Sequence, residues 1–332
     1  MRAVWLVPSL LGFLLGSLGC RPESAFSILS DAAASGSMDL TESVTDLASP
    51  NAPYDLRLSP TSLRAVTLNT HLFFDTVCDS GRCASGDFEQ VETATGFAAR
   101  ADTLSAAIRV LSPDVISLQE IENQTVLSAL SGRLRDLYPT AVLGETGAAG
   151  SIDVAVLGKG SLIEVRTHRS RVLTRPDGST TYFSRELLEV HMSHKGRRVV
   201  MIAAHFRSKV SDDPGRRLAE AQAAADIMKK TSTEFPDAVV ILGGDLNDTP
   251  GSAPIAALES VPELLRVAND RPPASVATYS WNGNPEAIDH LFFAKTSRAS
   301  YVAGSAAAQR DSGRFGYAGS DHAALLADFA LH

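Results

Sequence analysis

Hydrophobic residues recur with two different periods in the first half of the chain. In residues 97–111 they return every three or four positions, which is typical of an amphipathic helix, and Pro113 follows directly. A second helical pattern covers residues 126–137 and ends before Pro139. Continuous apolar runs predict buried strands at residues 64–69, 114–119 and 152–157. Helices therefore separate the early strands.

Hairpins dominate the rest of the pattern. Residues 162–175 and 180–191 are predicted as paired strands around a Pro176-Asp177-Gly178 turn. A strand at 198–205, an Ala-rich helix at 217–235, a strand at 238–243 and several short strands from residue 277 follow. This mixture predicts an α/β fold, a four-layer sandwich of two mixed β-sheets with helices packed outside.

The first 20 residues have a basic start at Arg2 and then an apolar run that is short for a membrane span. We interpret residues 1–20 as a signal peptide, so the protein is expected to be exported: periplasmic, attached to the outer membrane, or secreted. Cys20 after Gly19 resembles a bacterial lipoprotein processing site, although Leu18 and Ser17 depart from the usual pattern. Two interpretations stay open, a lipid anchor on Cys20 that tethers the protein to a membrane and an ordinary cleaved signal.

Composition separates a linker from a domain. Residues 21–60 are rich in Ser, Ala and Asp without a sustained apolar period, and we interpret them as a flexible acidic linker. Residues 61–332 are predicted to form the catalytic domain. The formal net charge of −8 argues against holding nucleic acid by bulk electrostatics, although a bound cation would change the local charge. No protein partner is implied, and we expect a monomer.

Cys78 and Cys83 are the remaining cysteines, five positions apart. In an oxidising compartment this spacing favours a disulfide that closes a small loop. Zinc binding is disfavoured because two further ligands at suitable spacing are missing nearby.

Polar clusters follow six apolar strand-like runs. They lie at residues 69–71, 119–120, 184–186, 205, 243–248, and 289–290 with 320–322. Polar groups at strand ends converge at the rim of a sheet, where catalytic residues are commonly carried. Each cluster alone is more simply a solvated strand end or turn, but six in order are difficult to explain that way.

The ordered motifs resemble the endonuclease/exonuclease/phosphatase superfamily. They are VTLN at 66–69, DVISLQE at 114–120, AAHF at 203–206, GGDLN at 243–247, IDHLF at 288–292 and SDH at 320–322. The resemblance spans roughly residue 64 to the C-terminus. It implies a metal-dependent hydrolase of phosphodiester bonds that uses Mg²⁺, or Mn²⁺ or Ca²⁺ in its place.

Roles for individual residues follow from the resemblance. Asn69, Glu120 and Asp321 would supply the metal ligands, because hard cations prefer oxygen donors. Asp245 would orient or deprotonate the attacking water, and Asn247 would hold a phosphoryl oxygen. His322 would contact the phosphate while Asp289 fixes its tautomer and favours its charged form.

A second histidine indicates the branch of the superfamily. His205, paired with Glu186, matches the general acid of the deoxyribonuclease-like branch, which abasic-site endonucleases generally lack. Neutral sphingomyelinases have a comparable histidine, so this feature does not separate them from nucleases. The alternative for His205 alone is a satisfied histidine at a strand end.

The stretch around His205 also resembles secreted bacterial nucleases. Arg207 and Lys209 are expected either to contact flanking phosphates or to form a solvated loop, and Arg185 either contacts phosphate or pairs with Glu186. The segment Tyr279-Ser280-Trp281 resembles a stretch beside the active-site mouth of relatives, or packs in the core.

We therefore expect an exported nuclease that acts on DNA or RNA. The alternatives are a lipid phosphodiesterase of the neutral sphingomyelinase type, a phosphatase, or a catalytically silent binding protein on the same scaffold.

Overall fold

The computed structural model describes residues 61–296 and 298–332. The predicted signal peptide, the linker and Cys20 lie outside these residues. Among the described helices, none has the length and apolar character to cross a membrane. The helices are α1 (Ala94–Leu111), α2 (Gln124–Leu134), α3 (Pro214–Glu234) and α4 (Ala253–Glu259).

Strands account for most of the scaffold. They are β1 (Ser62–Phe73), β2 (Val115–Ile121), β3 (Thr140–Gly144), β4 (Asp153–Gly158), β5 (Ser161–Thr167), β6 (Leu173–Thr174), β7 (Thr180–Thr181), β8 (Leu188–His194), β9 (Arg197–His205), β10 (Val239–Asp245), β11 (Leu264–Arg266), β12 (Tyr279–Trp281), β13 (Asn284–Glu286), β14 (Asp289–Ala294), β15 (Ala299–Tyr301), β16 (Ala307–Gln309) and β17 (Ala324–Leu331).

The strands form two large sheets. The first has the order β15-β17-β1-β2-β4-β3, with β16 also paired to β17, and the second has the order β11-β14-β10-β9-β8-β5. In the first sheet β1 and β2 are parallel, and in the second β9 and β10 are parallel. The other pairs within these sheets are antiparallel, so both sheets are mixed as predicted.

Burial on both faces of the sheets creates four layers. In β1 the side chains of Leu63 and Ala65 enter the core between the sheets, whereas Val66 and Leu68 pack with α1 and α2. Helices α3 and α4 cover the outer face of the second sheet. A strand buried on both faces reads as a continuous apolar run, because successive side chains point to opposite faces. The predicted four-layer sandwich is confirmed.

The hairpin predicted across residues 162–191 is present around the predicted turn, but its ladder is interrupted in the middle. Strand β5 pairs with β8, and only the two-residue strands β6 and β7 flank the predicted turn. The intervening segment instead packs its apolar side chains, Leu173, Phe183 and Leu187, into the core that α3 covers. Packing against this helix thus interrupts the middle of the predicted ladder, while its two ends pair in the expected register.

Candidate active site

Strand register assembles the centre of the site. Asp245 ends β10 and lies opposite His205, which ends the parallel strand β9. On its other side Asp245 is paired with Asp289, the first residue of the antiparallel strand β14. Three neighbouring strands therefore place His205, Asp245 and Asp289 side by side at one edge of the second sheet.

Polar residues of the first sheet lie beside this edge of the second sheet. Asn69 in β1 is paired with Gln119 in β2, and Glu120 follows at an irregularity of that strand. The side-chain amide of Asn69 donates to Glu120 Oε1 at 3.0 Å and to Asp245 Oδ2 at 3.1 Å. Asn69 therefore bridges the two sheets at the site.

Asp245 is the most connected carboxylate of the group. Its Oδ1 accepts the backbone N–H of Asn247 at 2.8 Å. Its Oδ2 lies 3.7 Å from His205 Nε2 and 4.0 Å from His322 Nε2. Burial, together with the nearby charge of Asp289, raises the pKa of Asp245 to about 7. The carboxyl group is thus poised to exchange a proton near neutral pH.

His322 is held as an imidazolium. Its Nδ1 lies 2.8 Å from Asp289 Oδ2, and its backbone N–H donates to Ser320 Oγ at 3.0 Å. Burial alone would lower the pKa of His322, but the charge and hydrogen bond of Asp289 outweigh it and raise the pKa to about 10. The ring of Tyr279 lies 4.9 Å from the His322 ring, between centroids.

His205 is in the opposite protonation state and is neutral. The residue is buried, and no hydrogen-bond partner of its Nδ1 lies in the described part of the chain. Burial lowers the pKa of His205 well below its usual value, and the charges of Arg185 and His322 act in the same direction. The site therefore holds a neutral imidazole and an imidazolium on either side of Asp245.

The predicted pair of Glu186 and His205 is not formed. The Glu186 carboxylate instead accepts the backbone N–H groups of His168 and Arg169 at 2.5 and 2.9 Å. It thereby ties the start of the loop after β5 to the start of β8. In the structure Glu186 orders this loop and gives His205 no negative partner.

Glu120 offers the best-placed oxygen donors for a divalent cation. Its Oε2 accepts the backbone N–H of Leu72 at 2.7 Å, and the side chain is half-buried. Glu120 has a φ of 63°, and His71 and Leu72 also have positive φ values of 55° and 47°. Such strain in non-glycine residues is concentrated at functional sites. A carboxylate in this position fits Mg²⁺ or a similar hard cation. Asn69, predicted as a ligand, instead turns its amide nitrogen to Glu120, while its Oδ1 accepts the backbone N–H of His71 at 2.9 Å.

Asp321, the third predicted ligand, is placed beside the first two by a histidine. His71 Nδ1 lies 3.0 Å from Asp321 Oδ1, and this hydrogen bond is the main cause that raises the pKa of His71. A different trio, Asp245, Asp289 and His322, has ligand atoms within 4.8 Å of one another. The closeness of Asp289 and His322 is explained by their hydrogen bond, while Asp289 Oδ1 is buried without a hydrogen-bond partner among the described residues.

The predicted substrate-binding cations surround the loop after His205. Arg185 Nη1 and Asn247 Nδ2 both donate to the carbonyl oxygen of Phe206, at 3.1 and 3.2 Å. Arg185 is thus bound to this loop and not to Glu186. Lys209 Nζ lies 3.3 Å from Asp248 Oδ1, and the backbone N–H of Arg207 donates to Glu220 Oε2 at 2.7 Å.

Several residues that shape the site were not predicted. Arg217 and Glu220 are buried on α3, where Arg217 pairs with Asp248 at 2.9 Å and Glu220 accepts the N–H of Arg207. The sequence carried a signal for them, since both fall on the apolar face of an Ala-rich helix. Trp281 is 56% exposed, so the core-packing interpretation of this segment is wrong for Trp281.

Residues 66–322 match the Endonuclease/Exonuclease/phosphatase family. The chain belongs to this family, and the predicted resemblance is confirmed. The family includes nucleases, phosphodiesterases and phosphatases, and its members are generally hydrolases that act on phosphodiester bonds. No curated protein matches the sequence significantly.

Solved structures share the fold at low identity. A family protein from Bacteroides thetaiotaomicron superposes with a TM-score of 0.59 at 16% identity, over 82% of this chain and 96% of that chain. The human Nocturnin catalytic domain with bound sulfate anion gives 0.58 at 17%, over 83% and 96%. D. rerio TDP2 complexed with single strand DNA product gives 0.57 at 15%, over 81% and 99%. At these identities the similarity establishes the fold alone.

Proposed function

We propose that this protein is a divalent-metal-dependent phosphodiesterase that cleaves nucleic acid strands. The observation that carries the proposal is the position of Asp245 Oδ2, with His205 Nε2 at 3.7 Å and His322 Nε2 at 4.0 Å. One imidazole is neutral and the other is protonated, and the carboxyl group between them titrates near neutrality. This combination suits hydrolysis at an anionic centre.

Each group has a distinct role in the proposed reaction. Asp245, with its pKa of about 7, orients the attacking water and accepts its proton. His322 donates a hydrogen bond to a phosphoryl oxygen and offsets charge that develops there. Asn247 lies two positions after Asp245 and has a backbone φ of 53°. Its side-chain amide offers a second hydrogen-bond donor to the phosphate.

His205 takes a different role from the one that the sequence predicted. Without the carboxylate of Glu186 it is neutral in the free protein, so it does not supply a proton as an imidazolium would. It orients Asp245 and hydrogen-bonds the bound phosphodiester. An anionic substrate beside the ring favours its protonation, so His205 becomes a general acid only in the complex.

Glu120 and Asp321 are proposed to hold the metal ion, and Asn69 is proposed to orient the Glu120 carboxylate through its side-chain amide. When bound, a hard divalent cation would polarise the phosphate and neutralise charge on the leaving oxygen. The backbone N–H of Leu72 donates to Glu120 Oε2 and thereby orients this carboxylate for the metal ion. Mg²⁺, Mn²⁺ and Ca²⁺ are the candidates.

Nucleic acid is favoured as the substrate by the groups around the mouth of the site. Arg185, Arg207 and Lys209 lie on or against the loop that follows His205 and would neutralise flanking phosphates. Trp281 is exposed and lies two positions from Tyr279, on the same face of β12, and the ring of Tyr279 packs against that of His322. An exposed aromatic face beside the reacting groups suits a base of an unpaired strand.

One comparison agrees with this substrate class, and another agrees with the binding of an anion. D. rerio TDP2 was solved with a single strand DNA product, and human Nocturnin was solved with a sulfate anion. We also propose export, because Cys78 and Cys83 form a disulfide and disulfides persist in oxidising compartments. Lipid attachment through Cys20 stays a prediction.

An activity screen tests the proposal. The purified protein is incubated with EDTA, Mg²⁺, Mn²⁺ or Ca²⁺ and offered end-labelled single-stranded DNA, duplex DNA, RNA, bis(4-nitrophenyl) phosphate and sphingomyelin vesicles. We expect metal-dependent cleavage of a nucleic acid. Asp237→Asn is a matched control, because Asp237 is exposed and pairs only with Arg298 among the described residues.

Two outcomes would overturn the assignment. Cleavage of sphingomyelin with no cleavage of DNA or RNA would make the protein a lipid phosphodiesterase. If Asp245→Asn cleaves nucleic acid and sphingomyelin as fast as the wild-type protein does, the hydrolysis does not come from this site.

A further inference from the structure

Four carboxylates converge in a loop region outside the catalytic group. Asp75, Asp79 and Glu89 belong to the segment between β1 and α1, and Glu122 follows β2. We call these four residues the loop carboxylate cluster. Oxygens of Asp79, Glu89 and Glu122 lie within 4.8 Å of one another.

The backbone holds these carboxylates in fixed orientations. Glu89 Oε1 and Oε2 accept the N–H groups of Asp79 and Ser80 at 2.5 and 2.7 Å, and Glu122 Oε2 accepts the N–H of Asp75 at 2.7 Å. Each of these oxygens keeps a second lone pair. The loop is thus folded around its acidic side chains, and the Cys78–Cys83 disulfide closes it beside Asp79.

A buried oxygen of Glu122 provides an independent indication of a ligand. Glu122 is only 2% exposed, and no N–H group of the described residues donates to its buried Oε1, which leaves the carboxyl group of Glu89 as its polar neighbour. Without a cation the two carboxyl groups must share a proton, because burial and the neighbouring carboxylates raise the pKa of Glu122 to about 8. Its carboxylate lies against those of Asp79 and Glu89, and Glu89 is also only 2% exposed.

Basic side chains do not neutralise the cluster. Across the described residues, no ion pair joins Asp75, Asp79, Glu89 or Glu122 to a lysine, arginine or histidine. The amide of Asn123 donates to Asp75 Oδ2 and Asp79 Oδ2, both at 3.1 Å, which orients them without adding charge. The two cysteines are joined in a disulfide, so they offer no thiolate.

We propose that the loop carboxylate cluster is a binding site for one Ca²⁺ ion, distinct from the catalytic metal site. A Ca²⁺ ion takes six to eight oxygen ligands in a flexible geometry, which clustered carboxylates on a loop can supply. Mg²⁺ demands a more regular octahedron and keeps several waters. The ion accounts for the buried Oε1 of Glu122 and for the juxtaposition of two buried carboxylates.

The site has a structural connection to the active site. The backbone N–H of Glu122 donates to the carbonyl of Phe73 at 3.2 Å, and Leu72 binds Glu120. Bound Ca²⁺ therefore fixes the ends of β1 and β2, from which Asn69 and Glu120 project. Its role is structural: it stabilises the fold and supports the geometry of the catalytic residues.

Calcium binding is measured in a background that lacks the catalytic ligand. EDTA-treated Glu120→Gln protein is titrated with CaCl₂ by calorimetry, and its thermal midpoint is recorded with and without Ca²⁺. We expect one Ca²⁺ per chain and a rise in Tm of roughly 5 °C at saturating Ca²⁺. An equal concentration of MgCl₂ should give a clearly smaller rise.

Two further substitutions in that background locate the ion. Asp79→Asn, at an exposed position, should weaken the Kd for Ca²⁺ by at least about tenfold. Glu122→Gln should abolish the Ca²⁺-dependent rise in Tm. Asp87→Asn, an exposed acidic position in the same loop, is the matched control and should bind Ca²⁺ like its parent.

The proposal is overturned if Glu120→Gln protein neither binds Ca²⁺ nor gains thermal stability from it. It is equally overturned if Asp79→Asn and Glu122→Gln bind Ca²⁺ as tightly as Asp87→Asn.

Discussion

The imidazole of His322 is hydrogen-bonded through Nδ1 to Asp289 Oδ2 at 2.8 Å, while its Nε2 faces Asp245 Oδ2 at 4.0 Å. One ring therefore connects a buried carboxylate behind it with the carboxyl group that we assign to the attacking water.

This relationship predicts a specific dependence of stability on pH. The pKa of His322 is raised from 6.5 to about 10 in the folded protein. A raised pKa contributes stability that is full below the unfolded value and is lost as the pH rises through the folded value. The free energy of unfolding should therefore fall between pH 6.5 and about 10. In Asp289→Asn this fall should be much smaller, as denaturant melts over the range would show. Equal slopes in the two proteins would contradict the assignment.

The activity should depend on the ionisation of Asp245. Its pKa of about 7 means that the base form accumulates as the pH rises through neutrality. We expect kcat/KM to increase up to about pH 7 and then to level off until His322 loses its proton. Asp245→Asn should lower the rate by at least about a hundredfold at every pH. A profile that is flat through neutrality would remove Asp245 from the role of base.

Glu186 should matter for stability and not for turnover. Glu186→Ala leaves the N–H groups of His168 and Arg169 without their partner, which costs about 1–3 kcal/mol of the free energy of unfolding. Where the variant is folded, its kcat should stay close to the wild-type value. His205→Ala should instead reduce kcat by at least about a hundredfold. Similar kinetic losses in both variants would restore the pairing that the sequence predicted.

The close contact between β9 and β10 should not tolerate a side chain at Gly244. A Cβ there would lie 2.0 Å from the carbonyl oxygen of Ala204, so Gly244→Ala must separate the strands that carry His205 and Asp245. We expect a loss of both stability and activity. Gly132→Ala is the control, because a Cβ at that helical position meets nothing within 4 Å and should stabilise the protein by about 0.5–1 kcal/mol. Thermal melts of the two variants should shift in opposite directions.

The sequence was sufficient to predict the two-sheet sandwich and the strand ends at which the site residues lie. Strands β2, β9 and β10 are buried on both faces and therefore read as continuous apolar runs, each followed by a polar cluster. Their order along the chain also identified the family. Side-chain convergence at one edge followed from the parallel pairing of the strands.

Contacts between distant segments were not predictable from local pattern. Whether Glu186 faces His205 or the amides of the loop after β5 depends on the packing of that loop, which α3 determines. The half-buried edge strand β3 has little periodicity in its five residues and was missed. The charge state of His205 depends on burial, which the residue type does not reveal.

The most direct test of the central claim is a cleavage assay on end-labelled single-stranded DNA with the wild-type protein and Asp245→Asn, each with Mg²⁺ and with EDTA. We predict that only wild-type protein with the divalent cation degrades the strand, while both proteins give the same thermal midpoint to within a few degrees. Equal degradation by Asp245→Asn, or by wild-type protein in EDTA, would contradict a metal-dependent phosphodiesterase at this site.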